Sequence, residues 1–212
     1  MGALKAAIPI VISAIAVTLS IVTYMNSVKA AKISLWAAEQ MQIYHDKDQA
    51  IYFHVPIVFQ NSGAQAGVVR SLGLILRDPG TKEAIFIKWT GFLKPEGGTW
   101  AWDSNATPLS VPAHSEVPQM TQFYGAGGLT GWLPKPIEYD MYLLAWTSDS
   151  QTPSVRYVAK WMFSEKDVSA IKLNLEKTLV GCEICSLWVS RSGYAPDSKR
   201  LSASEFNELV RQ

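Results

Sequence analysis

Residues 51–76 read IYFHVPIVFQNSGAQAGVVRSLGLIL. Two runs rich in Val, Ile, Leu and Phe flank the turn residues Asn61-Ser62-Gly63, and such runs are typical of strands. Every second residue from Leu72 to Leu76 is Leu, as on one face of a strand. Pro56 cannot donate a ladder hydrogen bond, so we expect the first strand to lie at a sheet edge or to carry a bulge. The stretch predicts a strand at Ile51–Phe59, a turn, and a second strand at Val68–Leu76.

Runs of the same kind recur along the chain. They lie at Ala84–Leu93, Val117–Phe123, Glu138–Thr147 and Val155–Phe163, with turn clusters between them. Six or seven strands without alternating helices favour an antiparallel β-sandwich over a parallel α/β sheet. Capping-box patterns at 164–167 and 202–205 predict two short C-terminal helices, and 182–189 is predicted to add a strand. The predicted fold class is therefore mainly β with short C-terminal helices.

An uncharged stretch precedes the strands. Residues 6–25 read AAIPIVISAIAVTLSIVTYM, and twenty helical residues span about 30 Å, the thickness of a bilayer core. The stretch is longer than a signal-peptide h-region and no A-x-A site follows, so we expect a retained transmembrane anchor. The positive charges of Lys5 and the amino terminus on one side of the span balance those of Lys29 and Lys32 on the other. The short N-terminal tail favours an extracytoplasmic location of the β domain. Because the flanking charges are balanced, a cytoplasmic location stays an alternative.

The segment after the anchor is predicted to remain helical. Ile33, Trp36, Gln40 and Ile43 fall on one helical stripe, and neither Pro nor Gly interrupts it. The predicted organisation is an anchor at 1–28, a helical juxtamembrane stalk at 29–49, a β-sandwich at 50–163 and a helical and strand extension at 164–212.

In this layout the chain resembles bacterial single-pass membrane proteins that carry an immunoglobulin-like β-sandwich behind an N-terminal anchor. The resemblance covers roughly residues 6–163 in layout and is specific around 55–76. It is carried by Pro56, Phe59, Asn61, Gly63 and Gly67, followed by the Leu72/Leu74/Leu76 alternation. The resemblance implies an immunoglobulin-like fold and brings no catalytic residues.

Charge and cysteine content exclude several classes of function. The net charge is +1 and no basic run occurs, so we expect no nucleic-acid partner. Cys182 and Cys185 form a lone C-x-x-C, and a closed zinc site would need four ligands. No α/β pattern surrounds the pair, as a thioredoxin-type motif would require. The two cysteines are predicted to be free structural thiols, a local disulfide or a redox pair, with a shared metal or cofactor site as a further alternative.

Two other motifs are predicted to be structural. The Gly-rich stretch at 125–131 is followed by Trp132 and two prolines, which do not open the helix that a phosphate loop needs. His114, Ser115 and Glu116 are adjacent, and adjacent strand residues point to opposite faces, so they cannot form a relay. We therefore predict no catalytic, cofactor-binding or metal-binding residues and no enzymatic activity.

Aromatic and small residues are the more suggestive features. Some tryptophans must fill the core, and the rest would form a surface for a protein, lipid or glycan. The candidate interaction aromatics are Trp36, Trp89, Trp100, Trp102 and Trp132. Within the anchor, small residues at Ala16, Ser20 and Thr23 share one helix face and would let another helix approach closely.

These features predict a non-enzymatic accessory subunit of a larger membrane complex. Its expected partners are integral membrane proteins and the lipid bilayer, and no cofactor is expected. One alternative is a membrane-tethered module that binds cell-wall or surface glycans through exposed tryptophans. Another is a tethered redox or hydrolytic enzyme built around Cys182 and Cys185.

Overall fold

The structure is a computed structural model of the 212-residue chain. It describes residues 2–97, 99–125, 129, 131–147, 152–179, 185–190 and 203–210, with the side chains of the first helix described from Val11 onward.

The described chain consists of three helices and twelve strands. The helices are α1 (Gly2–Ser27), α2 (Glu165–Leu179) and α3 (Ala203–Val210). The strands are β1 (Ile33–Ala37), β2 (Gln40–His45), β3 (Ile51–Asn61), β4 (Gly67–Val69), β5 (Ser71–Arg77), β6 (Ala84–Glu96), β7 (Thr99–Asn105), β8 (Leu109–Val111), β9 (Ser115–Gly125), β10 (Glu138–Trp146), β11 (Val155–Met162) and β12 (Cys185–Ser190).

Ten strands form one antiparallel sheet in the order β11-β10-β5-β6-β9-β3-β2-β12. β1 pairs with the second half of β3, β7 pairs with the second half of β6, and β4 pairs with β8 separately. The sheet curls until β1 meets β11, where the Trp36 and Tyr157 rings lie edge to face at 6.4 Å. The Tyr157 hydroxyl donates to the Ala37 carbonyl there at 3.5 Å.

The core lies inside the curl. Along β3 every second side chain from Ile51 to Phe59 is buried, and the residues between them lie on the opposite, outer face. Trp161, Tyr157 and Phe123 are fully buried from other strands. Each such side chain contributes about 2–3 kcal/mol of hydrophobic stabilisation. Helix α2 covers β2 and β12 and adds Ile171 to this core.

The antiparallel, mainly β class and the short C-terminal helices are confirmed. Ser164 caps α2, because its hydroxyl accepts from the Asp167 amide at 3.1 Å while the Asp167 carboxylate accepts from the Ser164 amide at 2.9 Å. The immunoglobulin-like arrangement is not confirmed. The described strands other than β4 and β8 belong to a single curled sheet.

The predicted helical stalk at 29–49 is wrong, because this segment contains β1 and β2. Ile33, Trp36, Gln40 and Ile43 fit a helical stripe, but the buried residues follow a period of two. They are Leu35, Ala37, Met41, Ile43 and His45. Pairing with β3 buries this alternating set, so tertiary contacts override the helical pattern.

Pro56 lies at a break in the ladder rather than at a sheet edge or a bulge. β2 pairs with β3 up to His54 and β1 pairs from Ile57 onward, so Pro56 falls between them. Its carbonyl accepts from the Ala38 amide at 2.9 Å. The missing N–H therefore falls where the neighbouring chain changes from β1 to β2, and no regular ladder bond is lost.

The N-terminal stretch predicted to be a transmembrane anchor is the helix α1. All residues from Val11 to Ala30 are exposed. Within the part of the chain that the structure describes, no helix combines the length and the apolar character needed to cross a membrane.

Candidate functional site

An apolar groove of about 580 Å³ lies on the outer face of the sheet. Cross-strand neighbours build its floor, since Pro56 pairs with Met120 and Val58 pairs with Pro118. The Trp36 and Trp188 side chains form one wall, and the β6–β7 hairpin forms the other through Leu93, Pro95 and Trp100. We call this feature the groove.

The structure places the candidate aromatics in four different environments. Trp36 and Trp100 line the groove together with Trp188, which the sequence reasoning missed. Trp89 belongs to the core, because it is 8% exposed and its indole N–H donates to the Gly91 carbonyl at 3.0 Å. Trp102 is exposed but lies outside the groove, with its ring over Gly91. Trp132 packs against Phe53 and Tyr139 at the margin of the core.

The groove tryptophans carry indole N–H donors for which the described part of the chain provides no acceptor. No described residue accepts a hydrogen bond from the indole N–H of Trp36, Trp100 or Trp188. Trp36 is 37% exposed and Trp188 is 45% exposed, so both rings are open to a ligand. An indole offers a flat apolar ring and a single donor.

A hydrogen-bonded set, which we call the amide row, follows the groove on the same face of the sheet, because His54 and Gln122 lie two residues from Pro56 and Met120 on β3 and β9. It consists of Gln42, His54, Gln122 and Thr90 on four adjacent strands. His54 Nδ1 lies 3.0 Å from Gln42 Oε1, and His54 Nε2 lies 3.0 Å from Gln122 Nε2. Thr90 donates to Gln122 Oε1 at 3.1 Å, and Gln42 Nε2 donates to Ser186 at 2.6 Å. The side chains of this row therefore serve as hydrogen-bond partners for one another.

These contacts fix the state of His54. Gln42 Oε1 can only accept, so His54 Nδ1 carries the proton, and His54 Nε2 accepts from the Gln122 amide. Burial lowers the pKa of His54 to about 4, so its imidazole is neutral at pH 7. Both ring nitrogens are occupied, which leaves no lone pair for a metal ion or for proton abstraction from a substrate.

Three tyrosines lie beyond the amide row. Tyr44 and Tyr52 stack at 4.7 Å with nearly parallel rings, and Tyr124 follows at 4.9 Å. The Tyr52 hydroxyl donates to Asp46 at 3.0 Å. Burial, and then the Asp46 carboxylate, raise the pKa of Tyr44 and of Tyr52 well above the usual tyrosine value. Neither phenol ionises near neutral pH, so these side chains act through packing and hydrogen bonds.

The opposite end of the sheet holds the chain that leaves α1. Asn61 is 1% exposed, and its Oδ1 accepts from the Lys32 and Gly63 amides at 3.0 and 2.9 Å. Its Nδ2 donates to the carbonyls of Gln65, Val111 and Pro112 at 2.8–3.1 Å. We call this arrangement the Asn61 clamp. It fixes the residues between α1 and β1 against two loops of the β domain.

The predicted packing face of α1 is exposed. Ala16, Ser20 and Thr23 contact solvent, and the Ser20 hydroxyl donates to the Ala16 carbonyl at 2.8 Å. Of the C-x-x-C pair, Cys182 lies outside the described residues. Cys185 opens β12 opposite His45 in the register of the sheet.

Comparison of the chain with protein-family models, with characterised proteins and with solved structures finds no match.

Strand register brings together residues that are far apart in the sequence. Gln42 and His54 are separated by 12 positions, whereas His54 and Gln122 are separated by 68. Alternation within a single strand could have placed His54 and Pro56 on one face. The contact of His54 with Gln122, and the presence of Pro56 and Trp188 in one groove, could be predicted only with knowledge of which strands pair.

Proposed function

We propose that this protein is a non-enzymatic accessory subunit of a larger membrane complex. In this proposal α1 packs among the membrane helices of the partner, and the β domain docks on the partner's extramembrane surface. The expected partners are integral membrane proteins and lipid, and the cell membrane is the expected location. The immunoglobulin-like assignment of the β region belongs to the same proposal and rests on residues 55–76.

The observation that carries the proposal is the apolar surface of α1. Large apolar side chains are 50–61% exposed around this helix, namely Val11, Ile12, Ile15, Val17, Leu19, Ile21, Val22 and Met25. A helix that is apolar all round normally lies in a protein core or among lipids and other membrane helices. The uncharged stretch 6–25 has the length that a bilayer core requires.

The polar side chains of α1 are compatible with such surroundings. Thr18 donates to the Ala14 carbonyl, Ser20 to the Ala16 carbonyl and Ser27 to the Tyr24 carbonyl, each at 2.8 Å. These hydroxyl groups find partners within the helix and do not need water. The Asn61 clamp would then hold the β domain close to the end of α1, as docking at the membrane surface requires.

The side of the membrane on which the β domain lies is part of the proposal. Lys5 lies on one side of the span and Lys29 with Lys32 on the other, so positively charged residues flank both ends. We favour the extracytoplasmic side and retain the cytoplasmic side as the alternative. A reporter whose activity depends on compartment, fused after Gln212, would decide between them.

Native extraction tests the proposal. The tagged protein would be extracted in mild detergent, separated by native electrophoresis and identified with its companions by mass spectrometry. We expect co-migration with one set of membrane proteins in fixed stoichiometry. Migration alone, at the size of a monomer or a small homo-oligomer, would contradict the proposal.

Two matched double variants test the role of α1. Ala16→Leu with Ser20→Leu fills the predicted packing face, and Ala14→Leu with Thr18→Leu makes the same changes on the opposite side. At about 100° per residue the two pairs point roughly 160° apart. We expect only the first pair to abolish co-migration, while both variants stay in the membrane fraction. Equal behaviour of the two variants would argue against a specific helix-packing face.

The alternative function is a tethered module that binds glycans. The exposed rings of Trp36 and Trp188 favour it, because sugar rings stack on indole faces. Retention of the full-length protein on a polysaccharide column, lost in Trp36→Ala and kept in Trp102→Ala, would support this alternative over the subunit.

A further inference from the structure

We infer that the groove binds a proline-rich segment of a partner protein, held in the polyproline II conformation. The inference rests on the proposed function, because it supplies the chemistry of the partner that the β domain docks on. Polyproline II segments are recognised in grooves lined by aromatic side chains. The groove offers such a lining through three tryptophans on two opposing walls.

The charge of the groove selects an uncharged occupant. Among the lining residues that the structure describes, the charged ones are Lys94 and Asp103, whose charges cancel. The floor consists of Pro56, Val58, Pro118 and Met120, which offer apolar surface. A charged peptide, a nucleotide or a phosphate headgroup would lose its hydration here without gaining opposite charge.

The hydrogen-bonding groups of the groove favour an occupant that offers acceptors to its tryptophans. Trp36, Trp100 and Trp188 each present an indole N–H that has no acceptor among the described residues. Beside the groove, the side chains of the amide row are already hydrogen-bonded to one another. Proline carries a carbonyl and no N–H, and polyproline II leaves its carbonyls free of internal bonds. A sugar brings several hydroxyl donors, for which the lining side chains offer the Asp103 carboxylate and the Gln119 side-chain oxygen as acceptors.

The size of the groove agrees with such a segment. Its floor is formed by β3 and β9, and neighbouring strands are about 4.8 Å apart, so the walls stand roughly 10–15 Å apart. Its volume of about 580 Å³ is in the range of sites for small ligands and short peptides. A short stretch of extended chain fits these limits.

Fluorescence anisotropy with defined peptides tests the inference. The full-length protein in nanodiscs would be titrated into a labelled ten-residue peptide of repeating Pro-Pro-Leu. A Gly-Ser-Leu peptide of equal length serves as the control, because it is flexible in solution. We expect saturable binding of the proline peptide and at least tenfold weaker binding of the control.

Single substitutions then locate the site. Trp36→Phe and Trp188→Phe keep a ring and remove one donor, and we expect each to weaken binding about 3- to 10-fold. Trp102→Phe makes the same change outside the groove and should leave affinity within about twofold. A nitrogen-15 spectrum gives a second readout: the peptide should shift the indole N–H signals of Trp36, Trp100 and Trp188 and leave that of Trp89 in place.

Each outcome has a defined meaning. Equal affinity for the two peptides, or equal loss in Trp188→Phe and Trp102→Phe, would overturn the inference. Displacement of the proline peptide by oligosaccharides of N-acetylglucosamine would overturn it in favour of a sugar site. If the protein binds the peptide but migrates alone in native gels, the peptide site in the groove is supported and the membrane-complex proposal is contradicted. If it co-migrates stably with membrane proteins but does not bind the peptide, the membrane-complex proposal is supported and the peptide site is contradicted.

Discussion

The Asn61 side chain holds the backbone of Lys32, with Oδ1 accepting from the Lys32 amide at 3.0 Å, although the two residues are 29 positions apart. The Lys32 carbonyl in turn accepts from the Ser62 amide at 3.1 Å. A methyl group at Gly63 would collide with the Ala30 carbonyl, so the turn after Asn61 leaves no space between itself and this segment. The segment that follows α1 is therefore an integral part of the β domain and does not behave as a free linker.

Replacing Asn61 with Ala is expected to destabilise the β domain by about 3–5 kcal/mol. At a position that is 1% exposed, the change removes the acceptor of two backbone amides and the NH2 group that contacts three carbonyls, including the buried Val111 carbonyl. Urea unfolding of the detergent-solubilised protein, followed by tryptophan fluorescence, measures the loss.

Asn61→Asp distinguishes the contacts in which Asn61 accepts hydrogen bonds from those in which it donates them. Aspartate keeps an acceptor for the Lys32 and Gly63 amides but turns a carboxylate oxygen toward the carbonyls of Val111 and Pro112. We expect this variant to be at least as unstable as Asn61→Ala at pH 7. An aspartate variant of wild-type stability would show that the donor side of the clamp contributes little.

The buried state of His54 predicts a loss of stability in acid. Burial lowers its folded-state pKa to about 4, below the ordinary 6.5, so between these values the unfolded chain binds a proton that the folded chain does not. Stability is therefore unaffected by this residue above pH 6.5 and falls as the pH drops from 6.5 toward 4. The total effect is roughly 3 kcal/mol, at about 1.4 kcal/mol per pH unit.

Urea unfolding at pH 4.5, 5.5, 6.5 and 7.5 measures this slope in the wild type and in His54→Gln. The variant should lose most of the slope. Burial also lowers the pKa of His45, so a smaller slope of the same sign should remain. Identical slopes in the two proteins would contradict the assignment to His54.

The strands are predictable from the sequence where the local signals agree. Where the signals conflict, the predicted secondary structure differs from the observed one. Ile51–Phe59 combines alternation, β-branched residues and a flanking turn, and it matches β3 closely. The segment 33–45 fits both a helical stripe and a strand alternation. Pairing with β3 stabilises the strands. The predicted strand Val68–Leu76 is divided in the structure at Arg70, whose amide donates to the Trp146 carbonyl at 2.7 Å.

The groove could not be predicted from the sequence, for a different physical reason. Trp36 and Trp100 were candidate interaction residues because they are tryptophans among few charges. Trp188 lies in the groove only because β12 pairs with β2, about 145 positions away in the sequence. Local propensity does not encode such a pairing. The core role of Trp89 likewise depends on its register opposite Phe123.

The N-cap of α2 gives a local test that is independent of the groove. Ser164→Ala removes the acceptor for the Asp167 amide and should destabilise the protein by about 1 kcal/mol. Ser169→Ala lies within the same helix at an exposed position and should be neutral or slightly stabilising. Thermal melts followed by circular dichroism measure both changes. Equal melting temperatures for the two variants would contradict the capping role.

Trp89 and Trp102 should respond in opposite ways, although the sequence presents them as equivalent candidates. Trp89 is buried against Phe92 at 5.1 Å, so Trp89→Ala should cost about 3–5 kcal/mol in urea unfolding. Trp102 is 47% exposed, so Trp102→Ala should cost less than about 1.5 kcal/mol, mainly from lost packing on Gly91. Comparable losses in both variants would mean that Trp102 belongs to the core, and the outer surface of the β6–β7 hairpin would then have to be covered in the folded protein.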